Sequence, residues 1–277
     1  MIDLHLHTTV SDGRLTPREL VDRARAAGVT VLAVTDHDTT ASFPDVRARA
    51  GAHGLETLPG IEITAVDEGR DVHVLGYFLD PDDPGLLEFL ARQRQIRIER
   101  VRRMAVRLAE LGAPIDGEGL LEEAAREPGR SIGRPQVARA LQRAGHVKDT
   151  QEAFDRYLAG DAPAFVARPG SPPEEVVTLV HRAGGLASLA HPGRTRIDHR
   201  LGELARAGLD ALEVYHADHD EAAVERYART AGELGLLMTG GSDFHGEPTR
   251  ALEPGATVLP PAEWQRLHAA RHRHVRR

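Results

Sequence analysis

Two histidines separated by a single residue, His5 and His7, stand near the start of the chain. They close a short apolar run, Ile2 to Leu6, of the kind that forms a β-strand. Because side chains alternate between the two faces of a strand, both imidazoles lie on one face and could chelate a metal ion. One such pair is weak evidence, since a polar strand edge carries the same pattern.

Potential metal ligands also follow later apolar runs of the sequence. His37 and Glu62 come directly after the second and third runs, and His191 and Asp243 follow two of the later ones. In a parallel barrel the strand ends share one rim, so these side chains are expected to meet. His73 is an exception, because it lies inside or at the start of its run. The repetition favours a metal site over a polar strand edge.

The predicted site contains six histidines and three carboxylates. Converging carboxylates repel and buried imidazoles need partners, so such a cluster is costly unless cations offset both effects. Nitrogen and oxygen ligands suit zinc, manganese or iron(II), whereas magnesium and calcium prefer mainly oxygen. The ligands are too many for one ion, so we expect two or three divalent ions with Glu62 as a bridging carboxylate. The expected metal ligands are His5, His7, Asp12, His37, Glu62, His73, His191, Asp243 and His245.

Such a site predicts hydrolysis of a phosphate ester. Two metal ions about 3.5–4 Å apart lower the pKa of a shared water towards roughly 7 and hold both the attacking and the leaving oxygen. The sequence contains no Walker A or Gly-x-Gly-x-x-Gly pattern, which counts against P-loop enzymes and dinucleotide-binding enzymes. We therefore expect attack by a metal-bridging hydroxide.

The elements that must position these residues alternate between strand-like and helical segments, which predicts βα units around a mainly parallel sheet or barrel. Helices are expected at Pro17–Ala27, with Thr16 as N-cap, and at Pro172–Ala183 after Ser171. The strand-like runs are Ile2 to Leu6, Val31 to Val34, Leu55 to Ile63, Val72 to Phe78, Gly185 to Leu189, Ala211 to Val214 and Leu236 to Thr239.

The alternation stops between about Gly85 and Asp161, where the sequence is helical throughout. This predicts a helical subdomain, residues 85–161, inserted into the barrel and capping its site. Residues 1–84 and 162–277 would then form the barrel that carries the metal site. A stretch rich in Pro and Gly, from Asp161 to Pro173, would return the chain to the barrel.

Composition narrows the class of protein further. The chain has 277 residues, no cysteine and a formal net charge of −7, which suits a cytoplasmic protein and argues against a stable duplex nucleic-acid partner. No apolar run is long enough to span a membrane. Two basic clusters, Arg92 to Arg107 and the tail Arg271 to Arg277, are interpreted as solvated surface.

Taken together, these motifs resemble the polymerase and histidinol phosphatase (PHP) family over nearly the whole chain. The resemblance implies a distorted seven-stranded β/α barrel with a trinuclear site. It further implies that one metal takes His5, His7, Glu62 and Asp243, a second Glu62, His73 and His191, and a third Asp12, His37 and His245. The matching motifs are His5-x-His7, Ser11-Asp12-Gly13, Thr35-Asp36-His37-Asp38, Gly60-Ile61-Glu62, Ala190-His191-Pro192 and Ser242-Asp243-Phe244-His245.

The segment around Gly133-Arg134-Pro135 resembles that of stand-alone PHP phosphoesterases, which act on nucleoside 3′,5′-bisphosphates or as 5′-3′ exonucleases on short RNA. The resemblance implies that Arg134 holds substrate phosphate, as the guanidinium fork favours. Gln136 departs from the family, which commonly has His there. Arg194 and His199 are further candidates for phosphate contact.

Asp38, next to His37, could accept a proton or orient a metal-bound water, and we expect the orienting role. The expected substrate is a small nucleotide phosphate ester, with short oligonucleotides as an additional one. Two alternatives are open: a histidinol-phosphate phosphatase, and a non-catalytic metal-binding PHP module that supports a polymerase. The helical insert argues against the first, and the complete set of ligands against the second.

Overall fold

Strands and helices alternate through most of the computed structural model, which describes residues 1–248 and 252–274. The end of the predicted 162–277 segment, with the last three residues of the basic tail, therefore lies outside the described residues. The two predicted strands nearest the start of the chain have the expected bounds. The strands are β1 (Ile2–Leu6), β2 (Val31–Val34), β3 (Glu56–Thr57), β4 (Gly60–Asp67), β5 (Arg70–Tyr77), β6 (Leu186–Leu189), β7 (Ala211–His216) and β8 (Leu237–Gly241).

The described strands form two sheets, ordered β1-β2-β3 and β4-β5-β6-β7-β8. The first sheet is parallel, and so are the β6-β7 and β7-β8 pairs of the second. β5 is antiparallel to both β4 and β6, so the prediction of a mainly parallel sheet is wrong for this strand. A short turn between β4 and β5 allows the antiparallel pairing, since parallel neighbours need a long crossover.

Single bridges join the two sheets at both seams. Leu6 pairs with Phe244 beyond β8, and His37, beyond β2, pairs with Glu62 in β4. No continuous ladder closes the ring over the described residues, so the predicted barrel is not confirmed, while its α/β class is. Both bridges lie where β1 and β2 end, and they bring the motifs that follow those strands next to β4 and β8.

One glycine in β8 permits this close approach to β1. A Cβ atom at Gly241 would lie 2.4 Å from the backbone nitrogen of His5. The Gly240-Gly241 pair of the sequence therefore lets the following Asp243 reach the histidines of β1 without a backbone clash.

The helices begin largely as the sequence predicts. Thr16 caps α1 through a capping box with Glu19. α7 begins one residue later than expected and its N-cap is Pro172, not Ser171. No described helix has the length and apolarity needed to cross a membrane. The α-helices are α1 (Pro17–Ala26), α2 (Phe43–Ala52), α3 (Pro84–Glu110), α4 (Gly117–Ala125), α5 (Arg134–Arg143), α6 (Thr150–Ala153), α7 (Pro173–Arg182), α8 (Pro192–Thr195), α9 (Leu201–Arg206), α10 (Glu221–Leu234) and α11 (Pro261–Ala270).

Between β5 and β6, a stretch that the structure describes in full, the only regular elements are helices. A π-helical turn, Phe154–Leu158, follows α6. Val101, Met104, Val137 and Leu141 belong to a hydrophobic cluster confined to this helical segment. The segment therefore has a core of its own, beside the clusters that pack against the sheets.

Candidate metal centre

The imidazoles and carboxylates that the sequence singles out converge where β1 and β2 end. His5 and His7 point to one face, while Leu4 and Leu6 pack fully buried on the other side. The rings of His7 and His245 are stacked 4.1 Å apart, and those of His7 and His37 are 4.9 Å apart. All nine predicted ligands lie in this one cluster.

Glu62 lies at the centre of the cluster, with 1% of its side chain exposed. Five imidazole nitrogens approach its two carboxylate oxygens. The distances are 3.2 Å from His5 Nε2, 3.1 Å from His7 Nε2 and 3.3 Å from His37 Nδ1 to Oε2, and 2.7 Å from His73 Nδ1 and 3.0 Å from His191 Nε2 to Oε1. Both oxygens therefore face more than one potential ligand, as a bridging carboxylate requires.

The two remaining carboxylates lie on either side of His7. Asp12 is 3.5 Å from His37 and 3.3 Å from His245, and Asp243 is 3.4 Å from His5. Two ligands that each lie about 2.1 Å from one ion are about 3.0–3.4 Å apart, which matches these distances. Three ligand groups result, namely His5, His7, Glu62 and Asp243; His7, Asp12, His37 and His245; and His37, Glu62 and His73.

Several buried ring nitrogens have no hydrogen-bond partner among the described residues: both nitrogens of His7 and Nδ1 of His37, His73 and His191. Those close to a carboxylate do not have hydrogen-bond geometry. Buried polar atoms are nearly always satisfied in folded proteins. The donor set, the spacing and these unpaired nitrogens all fit divalent cations.

Electrostatics in the cluster also fit cations. Burial lowers the pKa of His37 to about 3 and that of His191 to about 4, which favours the neutral form that binds metal. Against the effect of burial, neighbouring carboxylates raise the pKa of His7 to about 10. Although burial opposes it, the facing histidines hold the pKa of Glu62 well below its ordinary value. Negative charge here attracts protons, and divalent ions would displace them.

The antiparallel direction of β5 explains why His73 belongs to the cluster although it is not at a strand end. His73 is the fourth residue of β5 and pairs with Thr64 of β4. Since β5 runs opposite to its neighbours, its first half lies beside their last residues. The backbone N–H of Ala190, next to His191, donates to the carbonyl of His73. Sequence periodicity gives no strand direction and so left this residue unplaced.

Backbone strain accompanies the motifs. His191, Asp243 and Asp38 have φ angles of 28°, 53° and 52°, a region that residues other than glycine rarely occupy. Each such residue costs of order 1 kcal/mol or more, and such residues cluster at functional sites. The turns therefore aim the His191 and Asp243 side chains into the cluster at a cost in stability.

Two buried residues that are not among the predicted ligands, Glu213 and His216, contact the cluster from β7. Glu213 in β7 accepts a hydrogen bond from His5 Nδ1 at 2.8 Å and from the backbone N–H of His191 at 2.7 Å. His216, at the end of β7, lies 3.3 Å from Asp243. Such contacts fix the ring orientation of a metal ligand. The available signal was a glutamate inside an apolar strand run, which is costly without a partner.

Asp38 is not brought into the cluster, although His37 is. Its carboxylate is fully buried and pairs with Arg97 at 2.6 Å and with Arg168 at 3.5 Å, and it accepts from the backbone N–H of Thr64. Burial opposes ionisation, but the two guanidinium groups lower the pKa of Asp38 to about 2. The carboxylate therefore links the helical segment to the sheets.

Two of the three residues predicted to contact phosphate lie next to the cluster. Arg134 and Arg194 line a cavity of about 790 Å³ together with cluster residues such as His37 and Glu62. Arg134 donates to Asp71 at 3.2 Å, and Arg194 contacts Asp243 at 3.2 Å.

His199 does not line this cavity. It lies exposed in a short 3₁₀ helix, Asp198–Arg200, and is not brought together with the cluster.

Gln136 has a structural contact in place of a substrate contact. Its amide donates to the carbonyl of Ser11, and its oxygen accepts from the backbone N–H of Gly133 at 2.8 Å. Arg139 on the same helix donates to the carbonyl of Asp12 at 3.0 Å. α5 is thereby attached to the loop that carries Asp12.

Comparisons with known proteins agree with this geometry. The PHP domain family matches residues 3–252. The chain is 35% identical to a 3′,5′-nucleoside bisphosphate phosphatase of Chromobacterium violaceum, over 97% of this chain and 96% of that protein. It is also 35% identical to the 5′-3′ exoribonuclease Rnm of Escherichia coli, over 94% of this chain and 90% of the relative. A crystal structure from Bifidobacterium adolescentis, inferred to be a metal-dependent phosphoesterase, superposes with a TM-score of 0.88 at 34% identity and covers 96% of this chain and 95% of its own.

Proposed function

This chain is a metal-dependent phosphoesterase that belongs to the PHP domain family, and we propose that it removes phosphate from nucleoside 3′,5′-bisphosphates or mononucleotides. The observation that carries the proposal is the cavity in which Arg134 and Arg194 face the same space as Glu62 and His37. We propose stepwise trimming of short RNA from its 5′ end as a second use of the site, because three relatives are named 5′-3′ exoribonucleases.

We propose that the nine clustered side chains hold two or three divalent ions, manganese, zinc or iron(II). The three ligand groups described above contain eight of these side chains, and the ninth, His191, would join through its position 3.0 Å from Glu62. Bound ions of this kind activate a water molecule and neutralise charge on a phosphate ester. Glu62 would be shared between ligand groups, and Glu213 would keep the ring of His5 in its ligand orientation.

The residues above the cluster would bind and orient the substrate. The Arg134 side chain is 26% exposed, with Asp71 holding one of its nitrogens. Its guanidinium lies 5.9 Å and 5.8 Å from the ring centres of Phe154 and Phe165. This leaves the other N–H groups of its fork for a phosphate oxygen. Arg194, which lines the same cavity with its side chain 51% exposed, would contact the same or a second phosphate.

We infer that residues 85–161 act as the cap that covers this cavity and that the two bridged sheets are a distorted barrel opened at its seams. Arg97 supports this role of the helical segment, since its side chain reaches from α3 to Asp38 and to the carbonyl of Ile132. Substrate choice would then depend on the cap, and the metal chemistry on the barrel.

Purified protein supplied with manganese is expected to release inorganic phosphate from adenosine 3′,5′-bisphosphate faster than from histidinol phosphate. The reason is the arginine-lined cavity, which can hold a second phosphate of the substrate. Initial rates of phosphate release, with a 5′-phosphorylated RNA tetramer as a third substrate, measure the preference. A higher kcat/KM for histidinol phosphate would contradict the proposal. The chain matches relatives that are named as enzymes over nearly its whole length, which argues against a non-catalytic module.

Replacing Arg134 with alanine is expected to lower kcat/KM for the bisphosphate about 10–100-fold, since a hydrogen bond to a charged group contributes roughly 1.5–3 kcal/mol. Arg134→Lys should recover only part of the loss, because lysine keeps the charge but not the fork. Arg103→Ala, an exposed arginine on α3, is the matched control and should retain full activity. Equal kinetics for all three variants would exclude Arg134 from substrate binding.

A further inference from the structure

A second group of potential metal ligands lies away from the metal centre. His181 near the end of α7, Asp210 just before β7 and His274 beyond α11 bring two imidazole nitrogens and a carboxylate within 4.8 Å of one another. His181 Nε2 is 2.8 Å from Asp210 Oδ2, and His274 Nε2 is 2.9 Å from Asp210 Oδ1. The two rings are stacked 3.7 Å apart.

This group belongs to the opposite edge of the sheet. Asp210 precedes the first residue of β7, whereas His216, the last residue of that strand, contacts Asp243 in the metal centre. At about 3.3 Å per residue, the two ends of the strand are roughly 20 Å apart. The group therefore cannot contribute to the phosphoesterase site directly.

The backbone holds the carboxylate firmly. Asp210 donates its N–H to the carbonyl of Ala187 and accepts from the N–H of Leu237 with its own carbonyl. Its Oδ2 also accepts from the N–H of Ala187 at 3.0 Å. The side chain is 2% exposed, while those of His181 and His274 are 20% and 24% exposed. A fixed anion thus faces two partly solvated imidazoles.

The two imidazoles present their Nε2 atoms to different oxygens of Asp210. Arg273 lies 3.2 Å from Asp210 Oδ1. Neutral imidazole is the form that binds metal. Two imidazole nitrogens, one carboxylate oxygen and an open position towards solvent form the donor set of a four-coordinate zinc ion.

We propose that His181, Asp210 and His274 form a second zinc site, which fastens the segment after α11 to the edge of the sheet. The ligands come from three elements far apart in sequence, so one ion would connect α7, the start of β7 and the end of the described chain. Without the ion, the guanidinium of Arg273 neutralises Asp210. Because that side chain is 48% exposed, it can leave the carboxylate for solvent when zinc binds.

Zinc content per chain tests this site independently of catalysis. Wild type, His274→Ala and His181→Ala are loaded with zinc, freed of loose ions by gel filtration and measured by elemental analysis. Each variant is expected to hold one zinc ion fewer than wild type, with manganese-supported phosphate release unchanged. If His181→Ala does not fold, His274→Ala alone decides the point, because it changes a partly exposed residue outside the helices.

Arg273→Ala gives a prediction of opposite sign. Removing the competing positive charge should tighten zinc binding at this site roughly 10-fold, and zinc should then raise the melting temperature of this variant at lower concentrations than in wild type. Equal zinc content in wild type and both histidine variants would overturn the proposal, as would unchanged zinc affinity in Arg273→Ala. Neither result depends on which phosphate ester the enzyme cleaves.

Discussion

Glu62→Gln is expected to lower kcat/KM for phosphate release by about 10²–10³-fold, comparable to the loss of a key electrostatic group in other active sites. Glu62 is the residue that five imidazoles approach, and its two oxygens face different histidines. Glutamine preserves the volume but removes the negative charge and replaces one oxygen with an NH₂ group. That group cannot bind a cation, and it places a donor against nitrogens that should coordinate metal.

Metal content and kinetics measured on the same sample check this prediction. Glu62→Gln should hold at least one manganese ion fewer per chain than wild type, and excess manganese should not restore its activity. Glu56→Gln, an exposed glutamate in β3, is the matched control and should keep both properties. Wild-type activity in Glu62→Gln would show that the cluster is not the catalytic centre.

Most residues of this cluster can be predicted from the sequence because they follow strands whose ends meet, whereas Glu62 and His73 lie inside β4 and β5. His5 and His7 alternate with buried leucines, and β1 and β2 have the expected bounds. Strand polarity then brings His37 and Asp243 to the same edge. An apolar run followed at once by a polar residue is a local signal, so a single sequence is sufficient to find it.

Features that depend on long-range pairing leave no local pattern in the sequence. The strand direction of β5 depends on its partners, and so the position of His73 could not be derived from periodicity. Glu213 is recognisable as a supporting residue only when His5 and the backbone of His191 lie on either side of it. Whether the sheets close into a barrel depends on hydrogen bonds at two seams, which leave no pattern in the sequence.

The environment of Asp38 also depends on residues that are distant in the sequence. Its neighbour His37 suggested a role at the metals, but the two residues point in different directions because Asp38 has a positive φ angle of 52°. The carboxylate instead meets Arg97 from α3 and Arg168 from the segment that leads back to the sheets. The two arginines lie 59 and 130 residues away in sequence, so the residues near Asp38 do not indicate these partners.

Asp38→Asn is therefore expected to destabilise the protein strongly. Asparagine tolerates a positive φ angle, and its carbonyl oxygen can still accept from the N–H of Thr64, so the substitution removes mainly the charge. Arg97 and Arg168, with side chains 11% and 1% exposed, would be left with an uncompensated buried charge. Breaking a buried pair by removing one partner costs about 3–5 kcal/mol.

Thermal unfolding followed by circular dichroism, with a chelator present so that metal binding does not contribute, measures the loss. A cost of this size lowers the melting temperature by roughly 6–20 °C. Asp45→Asn is the control, since Asp45 pairs with Arg18 on an exposed surface and such pairs contribute at most about 1 kcal/mol. Equal melting temperatures for the two variants would show that Asp38 does not hold the helical segment to the sheets. A large difference would place the attachment of the helical segment in this buried ion pair, one residue from His37 of the cluster.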